Sequence, residues 1–576
     1  MDISALHDHL LQQIFKENAD ISSPVEVNRV GTVTHDDFVL DDIKSKDNAT
    51  TASLGRRTRM HALTTTVRSL SVCRHWYWML TVPSRWTSSL WGGLLDLDVL
   101  SETKPEVIQQ ILARAGNVAP LSVKGTDLPF HGRMAKFAFD IVRDHWDRLE
   151  WVDISIHKDS RVSPAEVQFW KRIATPAKRL RRFFFTFSDP TIAGPVMLKD
   201  APNLKEFHST PSSPLLLNSS WVSQLTHLSI DSMGYPSLLM FDFPSFLNAL
   251  HGMRNLENLG ITNTGLAVGN YKDHRMLKLT NLRSLTLKDE FNTCFAFLRH
   301  LSPSPQCRLD IHTQSPRGIP DDVYWAFDSW MERYLPKRKY NDRILIDLQP
   351  SYGEFVDAYP DCLPAPTIRL RVDYVPGSDK VNAESLFGFL PRGRFSRVKN
   401  VWFRMNLPIE SEDFLDSYDV FFDFYGGLDS AEVLKTTLQG FQVFTMIALS
   451  DPDDVPMPRL KRVRIIYDKD NAGVDYIDPA ETTLIGGFIQ LFRMKRRLRQ
   501  PIRHLDVRGF MGDFSDLDVC KGLRVTWKDK RHRRNGAGEY ICGSGDPENN
   551  PLDVEDYDKE NSDDEDQDES EMLIDE

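Results

Sequence analysis

Residues 225–230 read LTHLSI, residues 256–261 read LENLGI and residues 282–287 read LRSLTL. In each run, apolar residues alternate with polar ones after a leading leucine, which predicts a short strand with one buried face. Related runs recur, mostly about 20–36 residues apart, at 120–123, 149–156, 180–187, 204–207, 307–311, 344–348, 368–372, 398–403, 460–466 and 503–507. Helix-like stretches lie between some of them, at 105–116, 244–253 and 294–303. Strands and helices at this spacing predict an α/β fold built from repeats.

The three clearest runs resemble the strand motif of leucine-rich repeats. That resemblance implies an irregular solenoid of short parallel strands, with alternate side chains in its core and an exposed sheet that binds a protein. The consensus asparagine is mostly absent, so the outer turns are expected to differ from those of the standard repeat. Residues 403–455 do not fit the period, and a helical insertion or a long irregular loop is expected there. The alternative is an ordinary α/β domain whose strands are buried on both faces.

The first 95 residues have a different pattern. An amphipathic helix is expected over residues 3–20, and a polar stretch without periodicity, about residues 21–59, predicts a disordered insertion. A second helix is expected from residue 69 to just before Pro83. Four of the chain's twelve tryptophans lie within sixteen residues, at positions 76, 78, 86 and 91. So many large aromatic residues in a short segment favour a surface that binds another protein, although two helices packed into a small core are the simpler alternative.

This segment resembles an F-box of the fungal type, a helix of pattern Leu-Pro-x-Glu-Leu-Leu-x-x-Ile-Phe followed by Val-Cys-Arg-x-Trp and Pro-x-x-Trp. His7 and His9 stand where that pattern has proline and glutamate, and the insertion is a further departure. The resemblance implies a set of apolar residues that contact a SKP-family adaptor: Leu6, Leu10, Leu11, Ile14, Phe15, Val72, Cys73, Trp76, Pro83 and Trp86.

The function implied by the resemblance is that of a substrate-recognition adaptor in an SCF-type cullin–RING ubiquitin ligase. The helices would dock to the SKP-family adaptor and through it to a cullin, while the repeat surface would hold a protein substrate. Other subunits would transfer the ubiquitin. No catalytic residue is therefore expected in this chain.

Charge separates the end of the chain from its body. Residues 545–576 contain sixteen acidic residues and one lysine, so the net charge of −12 leaves +3 for residues 1–544. Such a self-repelling segment predicts a disordered acidic tail, about residues 536–576, after a repeat domain at 96–535. The opposite signs also raise the hypothesis that the tail competes for a basic site on the body.

Motifs for chemistry are absent from the sequence. It contains no nucleotide-binding glycine loop, no HExxH, no EF-hand loop and no GxSxG, and its six cysteines form no CxxC pair. We therefore expect no metal, no cofactor and no enzymatic activity, and an enzyme of atypical fold is the last alternative. The absence of a signal sequence and of a long apolar run predicts no membrane partner and a cytoplasmic or nuclear location.

Two basic runs keep further alternatives open. RMKRRLR at 493–499 is interpreted as the solvated side of an outer helix, and KDKRHRR at 528–534 lies close to the acidic tail. Either run could serve nuclear import, but specific nucleic-acid recognition is not expected. The remaining rivals are a leucine-rich-repeat scaffold whose first helices only cap the solenoid, and a nuclear acidic-tail protein that binds basic partners.

Overall fold

The structure is a computed structural model, and the chain divides into two compact units, Met1–Cys307 (unit 1) and Arg308–Glu576 (unit 2). The residues that the structure describes are 8–19, 66–70, 72–82, 84–101, 103–129, 132–157, 164–187, 198, 200–209, 219–231, 242–264, 276–304, 306–314, 330, 342–349, 351–357, 368–373, 395, 397–406, 418–451, 455–466, 482–507, 514–528 and 537–545. The predicted insertion at 21–59 and residues 546–576 of the predicted tail lie outside them.

Unit 1 contains both helices and strands. Its helices are α1 Asp8–Ala19, α2 Arg74–Thr81, α3 Arg85–Gly92, α4 Leu97–Leu100, α5 Pro105–Ala115, α6 Arg133–His145, α7 Pro164–Ile173, α8 Phe243–Gly252 and α9 Phe291–His300. Its strands are β1 Leu95–Asp96, β2 Leu121–Pro129, β3 Leu149–His157, β4 Arg182–Phe187, β5 Glu206–Ser209, β6 His227–Asp231, β7 Asn258–Thr262, β8 Leu277–Leu279, β9 Ser284–Glu290 and β10 Leu301–Pro303.

The strands of unit 1 pair in the order in which they occur in the chain. From β1 to β7 each strand is parallel to the next, and β7 pairs with β9 in the same direction. Strands β8 and β10 form a separate parallel pair. Neighbouring parallel strands need a crossover connection between them, and α6, α7 and α8 lie in three of these connections.

Period-2 burial explains why these short runs form strands. In β6, Leu228 and Ile230 are 2% and 1% exposed, whereas the residues between them are half-exposed. The leading leucine of each run lies just before its strand and is also buried, as Leu225 and Leu256 show. The residue after it extends the ladder, since the N–H of Glu257 donates to the carbonyl of Thr226 at 2.8 Å.

Unit 2 also contains a parallel-rich sheet. Its helices are α10 Tyr418–Gly426, α11 Leu438–Ser450 and α12 Thr482–Arg497, and its strands are β11 Arg308–Gln314, β12 Arg343–Gln349, β13 Tyr352–Val356, β14 Ile368–Asp373, β15 Asn400–Met405, β16 Val433–Thr437, β17 Arg462–Ile466, β18 His504–Asp506, β19 Arg524–Lys528 and β20 Ala537–Ile541. Strand β12 begins a parallel series that continues through β15, β16, β17, β18 and β19. Antiparallel strands occur at β13, between β12 and β14, and at β20, beside β19.

The predicted α/β class is confirmed, because both units combine helices with parallel-rich sheet. All thirteen runs identified in the sequence overlap strands. The prediction differs from the structure at residues 403–455, where α10, β16 and α11 follow one another and β16 pairs with β15 and β17. The sequence of β16, VLKTT, does not match the repeat motif, because two threonines occupy buried positions where the motif has leucine. The predicted tail boundary also differs, since β20 extends the sheet to Ile541.

Candidate protein-interaction surfaces

The starts of α2 and α3 are defined by local capping. The Sγ of Cys73 accepts a hydrogen bond from the backbone N–H of Trp76 at 3.5 Å, which caps α2. Ser84 caps α3 in a reciprocal capping box with Thr87, with hydrogen bonds of 3.1 and 2.9 Å. These caps satisfy N–H groups that a helix start would otherwise leave without partners.

Aromatic packing joins the first three helices. The ring of Phe15 meets Trp76 edge-on, with centroids 5.0 Å apart, and lies 6.5 Å from the ring of Trp86. Phe15 is 3% exposed and Leu11 is 1% exposed. The indole N–H of Trp91 donates to the buried carbonyl of Leu80 at 2.9 Å. Residues on one side of α1 therefore form a small apolar core with α2 and α3.

An adjacent side of α1 and part of α2 expose apolar residues. Leu10 and Ile14 are 48% and 44% exposed, and Tyr77 and Trp78 are 52% and 66% exposed. Of the twelve exposed large apolar residues in the described part of the chain, seven precede residue 83. Such a concentration of exposed apolar side chains is typical of a protein-binding site.

The structure divides the predicted adaptor-binding residues into three groups. Leu11 and Phe15 are interior, and Trp76 and Trp86 are half-buried against Phe15. The exposed members are Leu10, Ile14, Val72 and Cys73. Leu6 and Pro83 lie outside the described residues.

Tyr77 and Trp78, the most exposed aromatic residues of α2, are not among the predicted adaptor-binding residues, although Trp78 belongs to the tryptophan cluster that favours a binding surface. A signal for them was present, because three consecutive aromatic residues on a helix point about 100° apart and cannot all face the same core. Once Trp76 packs on Phe15, its two neighbours must point elsewhere.

Arg182 on β4 organises the half-exposed face of the unit 1 sheet. Its guanidinium forms ion pairs with Asp153 on β3 at 2.9 Å and with Glu206 on β5 at 3.1 Å. It also stacks over the rings of Trp151 and Phe184, with 4.1 Å from its Cζ to each centroid. Parallel register produces this arrangement, since Trp151, Arg182 and Glu206 are direct partners on three successive strands.

Two buried donors in this Arg182 cluster have no hydrogen-bond partner among the described residues, the indole N–H of Trp151 and Nε of Arg182. The neighbouring imidazole of His208 lies 5.3 Å from the ring of Phe184. Burial lowers the pKa of His208, against the opposing effects of Asp231 and Asp153. Arginine and tryptophan are enriched at the centres of protein interfaces, so this cluster has the composition of a binding site for a polypeptide.

A second polar network lies on the sheet of unit 2. Asp373 lies 2.6 Å from His312 Nε2 and 2.8 Å from Arg371 Nε, and Arg371 stacks on Tyr352 at 4.0 Å. The hydroxyl of Tyr352 donates to the buried Asp347 at 3.1 Å. Burial tends to raise the pKa of Asp373, but the hydrogen bonds from Arg371 and His312 hold it below its usual value. The carboxylate is therefore charged at neutral pH, and the network holds fixed charges on this face of the sheet.

The described residues contain no group of three or more histidine, cysteine, aspartate or glutamate side chains that could hold a metal ion. None of their helices is both long enough and apolar enough to cross a bilayer. No protein-family model and no curated protein matches this chain.

Proposed function

We propose that this chain is a substrate-recognition adaptor of an SCF-type cullin–RING ubiquitin ligase. Its N-terminal helices dock to a SKP-family adaptor, and the strands of its sheets, arranged as an irregular leucine-rich-repeat-like solenoid, hold a protein substrate. The observation that carries the proposal is the apolar surface of α1 and α2, where Leu10, Ile14, Tyr77 and Trp78 are exposed above a closed small core. Burying such residues against a partner removes apolar area from water.

The parallel order of β1 to β7 supports the recognition role. In a sheet whose strands follow chain order, side chains at the same register position form an exposed row with one residue from each strand. A protein substrate can bind across several such rows. The Arg182 cluster and the Asp373 network are polar sites on the half-exposed faces of the two sheets.

The mechanism we propose is proximity. An adaptor that binds the ligase through one surface and the substrate through another raises the local concentration of substrate at the transferring subunit. Catalysis then belongs to the partner subunits, and the substrate is a protein of unspecified identity. The proposed location is cytoplasmic, nuclear or both.

The test is binding of the full chain to a purified SKP-family adaptor, measured by calorimetry. The variant Ile14→Ala with Trp78→Ala removes exposed side chains and should preserve the fold. Truncating interface hot spots costs about 2 kcal/mol or more, so binding should weaken at least ~30-fold. The matched control is Val118→Ala with Val519→Ala, two residues that are 76% and 52% exposed elsewhere. Absence of binding by the unmodified chain would refute the docking role and favour the scaffold in which these helices only cap the repeats.

A further inference from the structure

Helix α12 exposes a row of arginines on the outside of unit 2. Lys495 points inward, where its Nζ donates to the carbonyls of Pro456 and Met457 at 2.8 Å each. The exposed residues of the run are Arg493, Arg496, Arg497 and Arg499. None of these four is paired with a carboxylate of the described residues. These four arginines therefore lie on the outer helix, which ends at Arg497, and on the turn that follows it, and their positive charge is not offset by a carboxylate of the described residues.

The starts of β17 and β19 and the residue before β18 add further positive charge. Arg462 on β17, His504 on β18 and Arg524 on β19 are direct register partners, and the exposed Arg503 precedes His504. Glu539 offsets Arg524 at 3.1 Å. Neither Arg462 nor Arg503 forms an ion pair with a described carboxylate.

The last described residues of the chain lie beside these basic side chains. Arg496 Nη1 donates to the carbonyl of Lys521 at 3.2 Å, which joins the helix to the turn before β19. The backbone of Gly543 passes so close that a Cβ there would stand 2.7 Å from Lys521 Cγ. Because β20 is antiparallel to β19, Ile541 lies opposite Arg524 and the chain leaves the sheet at this end.

We propose that this basic end surface, defined as Arg462, Arg496, Arg499, Arg503, Lys521 and Arg524, binds the acidic segment 546–576 of the same chain. The segment follows Gly545 directly and carries sixteen acidic residues against one lysine. Its arginine partners offer bidentate pairing with carboxylates. The inference does not depend on the ligase function.

The segment can reach the whole surface. Neighbouring strands lie about 4.8 Å apart, so the three strand spacings from β20 to β17 amount to about 15 Å. An extended chain covers about 3.3–3.6 Å per residue, so about five residues suffice. A tethered segment of this kind has an effective concentration of about 1 mM, which lets weak charge pairs hold it in place. The bound segment would shield the surface from other polyanions.

The experiment uses a fluorescent peptide of residues 546–576 and the full chain, titrated by anisotropy at low salt. In one variant, all sixteen acidic residues of the segment are changed to Asn or Gln. For a peptide Kd near 100 μM, the native tether should compete and weaken peptide binding about tenfold relative to that variant. Adding Arg496→Glu and Arg503→Glu to the neutralised variant should abolish binding. Adding Lys171→Glu and Lys178→Glu, two exposed residues of unit 1, should change it less than about twofold.

Three results would overturn the inference. If the peptide fails to bind the neutralised variant, the surface does not take this segment. If the arginine reversals leave binding unchanged, the segment binds elsewhere. If native and neutralised chains bind the peptide equally, the surface accepts an acidic segment of another protein and not its own.

Discussion

Replacing Phe15 by alanine should detach α1 from the rest of unit 1. The side chain is 3% exposed and contacts Trp76 with ring centroids 5.0 Å apart. Phenylalanine-to-alanine changes in a core cost about 3–5 kcal/mol, and aromatic pairs contribute about 0.5–1.5 kcal/mol beyond their area. A site made of three short helices can partly collapse, so we expect about 3 kcal/mol, the lower end of the range.

Hydrogen exchange of the full chain, followed by mass spectrometry, is the suitable assay, because two-state unfolding is not expected of a chain with two units. If α1 loses about 3 kcal/mol of stabilisation, its amides should exchange about a hundredfold faster. The increase is smaller if native packing protects these amides less than a hundredfold. Helix α1 has twelve residues, and an isolated helix of that length is marginal in water. Its amides therefore report detachment directly.

The neighbouring variant Ile14→Ala provides the control. Ile14 is 44% exposed, so its truncation should cost less than about 1 kcal/mol and leave exchange in α1 nearly unchanged. The reasoning fails if both variants accelerate exchange equally, or if Phe15→Ala has no effect on α1.

Two further predictions concern unit 2. Gly440→Ala should destabilise α11 by about 1–3 kcal/mol, because the added Cβ would stand 2.8 Å from Phe403 Cδ1 and clash with Thr436 Oγ1. The control Gly426→Ala places its Cβ where nothing lies within 4 Å, so it should be neutral or slightly stabilising. Hydrogen exchange of α11 should therefore accelerate in the first variant and not in the second. Lys495 is fully buried, and desolvation lowers its pKa to about 8. The unfolded chain therefore binds one more proton than the native chain between about pH 8 and 10.5, so the free energy of unfolding should rise by about 2 kcal/mol relative to Lys495→Met from pH 7 to 9.5. Chemical denaturation measures this difference, and a difference that does not change with pH would contradict the prediction.

Local patterns were enough for the strands of the clearest leucine-rich runs. In LTHLSI and LENLGI, the alternation of buried and half-exposed side chains is encoded within six residues, so no knowledge of the partner strand is required. The same holds for α5, which begins at Pro105 and ends before Gly116, residues that favour a helix start and a helix end.

Patterns failed where a strand depends on its neighbours. Strand β16 carries Lys435 and two threonines and becomes a strand because β15 and β17 satisfy its backbone on both sides. Strand β20 lies within the predicted tail because AGEYI has little apolar periodicity, but it pairs with β19. Short strands of mixed polarity carry little information of their own.

The sequence alone therefore determined the α/β class, the position of most strands and the charge contrast between body and tail, because these follow from composition and from periods of two or four residues. Only the tertiary structure decided that Leu11 and Phe15 are interior while Leu10 and Ile14 are exposed, since which side of a helix is covered depends on the partner helices. It also assembled Asp153, Arg182 and Glu206, which are far apart in the chain. Strand register brings such residues together, and register is a property of the sheet and not of any one strand.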